Sequence, residues 1–174
     1  APANAERDVD AIVALNPDLV GFTSTTSSFL DGAAMARRIK DRLPSVITVA
    51  GGVLVSSMGP SLLERHDGVD LLVFGEGELT LREIASRAPL ESIAGLAFRD
   101  GGRVVATPPR APIENLDEVP FPACRLLSGF PRGYHLPLFN APGAPGATLI
   151  TSRGCPYRCS FCDRSVFGRG YRFH

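Results

Sequence analysis

The sequence predicts an α/β domain in which a doubly wound, parallel sheet carries helices on both faces. Three short apolar runs alternate with helical patterns along residues 1–90, and strands that alternate with helices form parallel sheets through right-handed crossovers. Each apolar run ends in glycine or small polar residues. The 174-residue chain has 44% hydrophobic and 21% charged residues, which is the composition of a globular protein.

The helices and strands follow from apolar periodicity and from residues that end helices. Apolar residues at helical spacing predict a first helix, and Pro17 ends it because the residue before proline is disfavoured in the helical region. Asp31 is the predicted N-cap of the second helix, and Pro44 stops that helix. The predicted elements are helix 8–15, strand 19–22, helix 31–42, strand 46–50, helix 60–65, strand 71–74 and helix 80–87.

The ends of the three predicted strands form a first candidate site. In open α/β sheets, ligands bind beyond the carboxyl ends of the strands, and glycine there lets a ligand approach the backbone closely. Each turn by itself is also an ordinary structural loop, so the binding edge is predicted from the three together. The candidate binding residues are Thr23, Ser24, Thr25, Gly51, Gly52, Gly75 and Glu76.

The second half of the chain departs from this alternation. Residues 93–98 and 104–107 flank two glycines and predict a β-hairpin, because glycine supplies the positive φ of primed turns. Nine prolines between 108 and 145 predict an extended connector. The predicted organisation is an α/β domain over 1–90 that lacks its first strand or strands, a hairpin and proline-rich connector over 91–145, and the start of another domain over 146–174.

Three of the four cysteines lie within eight residues, after a strand predicted at 148–151. Cys155, Cys159 and Cys162 are separated by three and two residues, and three thiolates on one loop can hold three corners of an iron–sulfur cube with the fourth iron open. The alternative is a structural zinc site with one further ligand. The candidates for that fourth ligand are Cys124, His135 and His174.

The cysteine loop, CxxxCxxC with Ser-Arg-Gly before it and an aromatic before its last cysteine, resembles the radical S-adenosylmethionine superfamily. The resemblance implies that Cys155, Cys159 and Cys162 bind a 4Fe-4S cluster whose fourth iron is chelated by S-adenosylmethionine. It places Phe161 against the adenosine. It also implies a reductant such as flavodoxin or ferredoxin, and cleavage of S-adenosylmethionine to a 5′-deoxyadenosyl radical.

The N-terminal half resembles the cobalamin-binding domain of cobalamin-dependent radical enzymes, on residues 17–22, 50–52 and 69–78. The resemblance places cobalamin near the seven strand-end residues. There it would carry a methyl group for methylation or a related C–H functionalisation. Some relatives instead catalyse a cyclisation. The Asp-x-His-x-x-Gly pattern that supplies a lower cobalt ligand in some cobalamin modules is absent from the sequence, and His66 does not match it. The resemblance implies that residues 146–174 are the first strand and the cluster loop of a truncated radical S-adenosylmethionine (β/α) barrel. We expect the chain to be the N-terminal part of such an enzyme, inactive without the rest of that barrel.

Charge and composition bear on partners and location. Eighteen Lys and Arg balance eighteen Asp and Glu, so no overall basic field favours nucleic acid or an anionic membrane. No apolar run reaches the roughly 20 residues of a membrane span. We therefore expect a cytoplasmic protein, and the resemblance implies a small-molecule substrate. The alternative to an enzyme is a non-catalytic α/β binding module with a structural zinc loop.

Overall fold

The computed structural model describes residues 2–134, 149–162, 166–167 and 170–174. The chain divides into two compact units. Unit 1 comprises residues 1–112 and 160–168, and unit 2 comprises residues 113–159 and 169–174. Within the described ranges, no helix is both long enough and apolar enough to cross a membrane.

Unit 1 holds the predicted alternation of helices and strands. Its five strands form one sheet in the order β1-β2-β3-β4-β5, with β1, β2 and β3 parallel and the last two strands antiparallel. The elements are α1 (Pro2–Ala14), β1 (Leu19–Thr23), α2 (Phe29–Arg42), β2 (Ile47–Gly51), α3 (Val53–Met58), α4 (Ser61–Arg65), β3 (Leu71–Val73), α5 (Glu78–Ala85), β4 (Leu96–Asp100) and β5 (Arg103–Ala106).

Helices cover both faces of this sheet, as predicted. On one face, Phe29 of α2 and Leu63 of α4 belong to the same buried cluster as Leu72 of β3. On the other face, Ile84 of α5 belongs to a cluster with Leu71, the preceding residue of the same strand. Successive side chains of a strand point to opposite faces, so each apolar run contributes to two core layers. This explains why the central strands are continuously apolar rather than alternating.

The β4–β5 hairpin belongs to this sheet and not to the connector. The local pattern predicts the hairpin correctly, but β4 also pairs antiparallel with β3, with Leu71 opposite Phe98 and Val73 opposite Leu96. Unit 1 consequently runs to residue 112, whereas the sequence-based division ends the α/β domain at 90. Turn residues reveal a hairpin but carry no information about which third strand it joins.

Helix boundaries also differ from those predicted. Helix α1 begins at Pro2 and not at residue 8, and the N-cap of α2 is Ser28 and not Asp31. Asp31 lies in the first turn of α2, where a carboxylate interacts favourably with the helix dipole. Helix α3 is not among the predicted elements, because six residues are too few to establish a helical period.

The strand predicted at 148–151 is wrong in position. Residue 148 lies outside the described residues, and residues 149–151 form no strand. Instead, β6 (Ser152–Cys155) pairs antiparallel with β7 (Gly170–Phe173), so the strand includes the predicted Ser-Arg-Gly turn and the first cysteine. An apolar run marks a place where a strand can form, but the pairing with β7 decides which residues extend.

Unit 2 joins this two-stranded ribbon to residues 113–118 through polar contacts. Arg172 Nη1 donates to the carbonyl oxygen of Ile113 at 2.5 Å. His174 Nδ1 lies 3.2 Å from Asp117 Oδ1, and the His174 backbone N–H donates to the carbonyl of Thr151 at 3.1 Å. Ile113 and Leu116, which belong to the same 113–118 segment, are buried.

Candidate functional site

The carboxyl ends of β1, β2 and β3 meet at one edge of the sheet, because the three strands are parallel. Thr23 at the end of β1 lies opposite Gly51 at the end of β2. Gly75 and Glu76 follow the end of β3. The structure therefore brings the predicted strand-end residues to a common edge, as parallel pairing requires.

Ser24 connects the loop after β1 to the end of β2 through hydrogen bonds. Its side chain is only 3% exposed, and its hydroxyl and its backbone N–H both donate to the carbonyl of Gly51, at 3.2 and 2.9 Å. The neighbouring side chains of Thr23 and Thr25 are exposed, and Thr25 Oγ1 lies 3.1 and 3.2 Å from the hydroxyls of Ser27 and Ser28. Ser24 thus has a structural role, and the two threonines present hydroxyls at the surface of the edge.

Gly52 is required by the fold of the edge itself. Its φ is +100°, and a Cβ there would lie 2.7 Å from the carbonyl oxygen of Ser24 and 2.7 Å from Thr23 Oγ1. A Cβ at Gly51 would meet its nearest atom, the carbonyl oxygen of Val73, at an ordinary 3.6 Å. The close approach that excludes a side chain at Gly52 is therefore made by the protein's own β1 loop.

Ser56 of α3 is a site residue that the sequence pattern did not reveal. The Gly75 backbone N–H donates to Ser56 Oγ at 3.0 Å, so α3 holds the loop between β3 and α5. Gly75 adopts φ +67°, and the next residue, Glu76, places a carboxylate in a side chain that is only 7% exposed. No spacing in the sequence marks this contact, because it joins segments nineteen residues apart.

The predicted cluster cysteines are distributed over both units. Cys155 is half-buried in β6, and Cys159 is exposed; both belong to unit 2. Cys162 is exposed and belongs, with Phe161 at 90% exposure, to the 160–168 segment of unit 1. In the described part of the chain, no group of three or more His, Cys, Asp or Glu side chains is arranged to hold a metal. The cluster therefore remains a prediction from spacing.

Two of the three candidates for a fourth zinc ligand lie among the described residues. Cys124 is a half-buried free thiol, and His174 pairs with Asp117. His135 lies outside the described residues. His66 is half-buried and packs edge-on against the core residue Phe29, with ring centroids 5.0 Å apart, so this contact is structural.

Comparison with known proteins identifies the superfamily. Residues 1–85 match the family model of the B12 binding domain. Over 166 residues the chain is 31% identical to the cobalamin-dependent radical SAM methyltransferase TokK of Streptomyces tokunonensis, covering 92% of this chain and 24% of that protein. The chain belongs to the radical S-adenosylmethionine superfamily that carries a B12-binding domain.

Other members of this superfamily match over the same region. The uncharacterized methyltransferase PH0819 of Pyrococcus horikoshii is 36% identical over 164 residues, which cover 91% of this chain and 34% of PH0819. The radical S-adenosylmethionine methyltransferase TsrM of Kitasatospora setae has the same fold, with a TM-score of 0.62 at 23% identity over 90% of this chain and 32% of TsrM. The chain thus spans about a third or less of the length of these superfamily members.

Proposed function

We propose that this chain supplies the cobalamin module and the cluster loop of an enzyme that methylates, or otherwise functionalises a C–H bond of, a small-molecule substrate. The observation that carries the proposal is the succession of a B12-binding match over residues 1–85 and a CxxxCxxC loop at 155–162 within one chain. When bound, a 4Fe-4S cluster would supply the electron that cleaves S-adenosylmethionine to a 5′-deoxyadenosyl radical, and cobalamin would carry the methyl group.

Cys155, Cys159 and Cys162 are the proposed cluster ligands, and Phe161 the residue that contacts the adenosine. The donor set fits an iron–sulfur cluster, because thiolates are its usual ligands and none of the four cysteines, all of which lie in the described ranges, is in a disulfide. Three cysteine ligands would leave the fourth iron open for S-adenosylmethionine. A flavodoxin or ferredoxin in the cytoplasm is the proposed electron donor.

The strand-end edge of unit 1 is the proposed cobalamin site. Thr23 and Thr25 present exposed hydroxyls there, and Val53 is 49% exposed immediately after Gly52. Polar groups beside an apolar side chain suit a cofactor with a large ring and amide-bearing arms. Ser24 and Ser56 hold the loops of this edge in place through the contacts to Gly51 and Gly75, and so act as positioning residues.

Metal analysis after anaerobic reconstitution tests the cluster. We expect about four irons and four sulfides per chain, and their loss in a variant with Cys155, Cys159 and Cys162 changed to alanine. The matched control, Cys124→Ala, should keep both. One zinc ion per chain without sulfide would overturn the proposed radical S-adenosylmethionine enzyme. The chain would then be an α/β binding module with a structural zinc loop.

Equilibrium dialysis with hydroxocobalamin tests the other half of the proposal. We expect retention by the wild-type chain and weaker retention by the double variant Thr23→Val and Thr25→Val, which removes two exposed hydroxyls at little cost in volume. Thr151→Val, at an exposed threonine of unit 2, is the control. Cluster assembly without cobalamin retention would favour a radical enzyme that keeps the domain but not its cofactor.

A further inference from the structure

The strand-end edge of unit 1 extends past β3 to the start of β4. Because β4 runs antiparallel to β3, Leu96 lies opposite Val73. The backbone N–H of Phe74 donates to the carbonyl of Gly95 at 2.9 Å, and the Gly95 N–H donates to the carbonyl of Pro108 at 2.8 Å. The chain that follows β5 therefore passes beside the end of β3, at the edge that holds the candidate site.

Arg110 connects this passing segment to helix α5. Its Nε–H is shared between Thr80 Oγ1 at 2.8 Å and the carbonyl oxygen of Ala94 at 3.2 Å. Its Nη2 donates to Glu83 Oε2 and forms an ion pair with that carboxylate. Thr80 is fully buried, and its hydroxyl donates to the same Ala94 carbonyl at 3.0 Å. The Arg110 side chain is 15% exposed, so these contacts are largely shielded from water.

These contacts fix the beginning of α5 relative to the sheet. The buried apolar residue of α5 is Ile84. Apolar burial is non-directional, so Ile84 holds the helix against the sheet without setting its position along the helix axis. Hydrogen bonds have narrow distance and angle preferences. The position of α5 along its axis is therefore set by the bonds of Thr80, in its first turn, and of Arg110.

Fixing α5 also fixes the loop that carries Glu76. Only residues 74–77 join β3 to α5. The Leu81 N–H donates to the carbonyl of Gly77 at 2.8 Å, so the end of this loop moves with the helix. The hydrogen bond from the loop to α3 holds its beginning. Glu76, which is 7% exposed, therefore lies in a short loop held at both ends, and Arg110 acts on one of them.

We propose that Arg110 is a positioning residue for the strand-end site, which holds the loop of Glu76 in the conformation that binds cobalamin. The inference rests on the proposed function, which places cobalamin at this edge. A loop that samples more conformations is in the binding-competent one for a smaller fraction of the time, and the apparent dissociation constant rises by the inverse of that fraction. Loss of the Arg110 contacts therefore weakens binding without removing a group that touches the ligand.

Equilibrium dialysis with hydroxocobalamin, combined with hydrogen exchange of the ligand-free chain, tests this role. We expect Arg110→Gln to raise the dissociation constant about tenfold, as for a binding-competent fraction of about one tenth, and to speed exchange at residues 75–81. Glu83→Gln removes only the ion pair and should have a smaller effect in the same direction. Arg38→Gln is the matched control, because Arg38 pairs with Glu6 and joins α2 to α1. It should bind cobalamin, and exchange at residues 75–81, like the wild type.

The outcomes separate this inference from the proposed function. A wild-type chain that does not retain cobalamin overturns the proposed function and, with it, the inference. If the wild type binds, an unchanged dissociation constant in Arg110→Gln, or weaker binding without faster exchange at residues 75–81, overturns the inference alone. If Arg110→Gln speeds exchange throughout unit 1, its fold is lost and Glu83→Gln decides. Weaker binding with faster exchange confined to residues 75–81 supports the inference there, and any other result overturns it.

Discussion

The two units of this chain differ in how much apolar surface they bury. All three buried clusters that form the hydrophobic core lie in unit 1. Of the described residues of unit 2, only Ile113 and Leu116 are buried hydrophobic side chains. Unit 1 is thus a scaffold whose stability comes from burial, whereas unit 2 carries two of the three proposed cluster ligands and buries little apolar surface in its described part.

Unit 2 also exposes much of the apolar surface that it does possess. The large exposed hydrophobic side chains in its described part are Phe121, Leu126, Leu127, Tyr134, Leu149, Ile150, Tyr157, Tyr171 and Phe173. Unit 1 also exposes some large hydrophobic side chains, but its helices and strands contribute three buried clusters, whereas most large hydrophobic side chains in the described part of unit 2 are exposed.

The largest effect should come from removing a core aromatic of unit 1. Phe29 is 2% exposed and packs against Phe22 and His66, so Phe29→Ala should lower the free energy of unfolding by about 3–5 kcal/mol. Urea denaturation followed by circular dichroism measures it. Phe121→Ala is the control in unit 2, because Phe121 is 81% exposed and should cost no more than about 0.5 kcal/mol. Equal effects of the two substitutions would break the contrast between the units.

A smaller effect should come from the strand-end edge of unit 1. Gly52→Ala must place a Cβ 2.7 Å from the Ser24 carbonyl oxygen at a positive φ, and we expect a loss of about 2–4 kcal/mol from steric strain. Gly129 of unit 2 also has a positive φ, but a Cβ there meets nothing within 4 Å. Gly129→Ala should therefore cost only about 1 kcal/mol. Thermal denaturation of both variants distinguishes close packing at the edge from backbone strain alone.

The smallest effect should be local to one loop. Ser56→Ala removes the acceptor of the Gly75 N–H, which should cost about 1 kcal/mol and speed hydrogen exchange at the Gly75 amide. Ser128→Ala, at an exposed serine of unit 2, should leave exchange unchanged throughout. Unaltered exchange at Gly75 would show that α3 does not hold this loop.

The fold of unit 1 could be predicted because its local and tertiary signals agree. The parallel alternation follows from three apolar runs and the helical patterns between them, and the structure confirms it. The membership of β4 and β5 in the same sheet could not be predicted, since the pairing of Val73 with Leu96 joins segments with no mutual signal in the sequence. The displaced strand at Ser152–Cys155 has the same cause, because its partner lies beyond the cysteine loop.

The positions of the strand-end residues at one edge of the sheet could be predicted from the sequence, but their contacts could not. The strand-end pattern finds Ser24, Gly52 and Gly75 alike, yet the structure assigns the first two to the internal packing of the edge. Ser56 escaped because a hydrogen bond to a backbone N–H nineteen residues away leaves no spacing rule. The cysteine triad stays a prediction from its spacing and its superfamily.

The sequence by itself determined the α/β character of unit 1, the edge at which its parallel strands end, and the CxxxCxxC loop, because period, turn chemistry and cysteine spacing are local properties. The pairing of the hairpin with β3, the hydrogen bonds by which Ser24 and Ser56 hold the strand-end edge, and the pairing of residues 152–155 with residues 170–173 are visible in the tertiary structure alone. These features depend on register between distant segments, and register is set by packing rather than by any one stretch of chain.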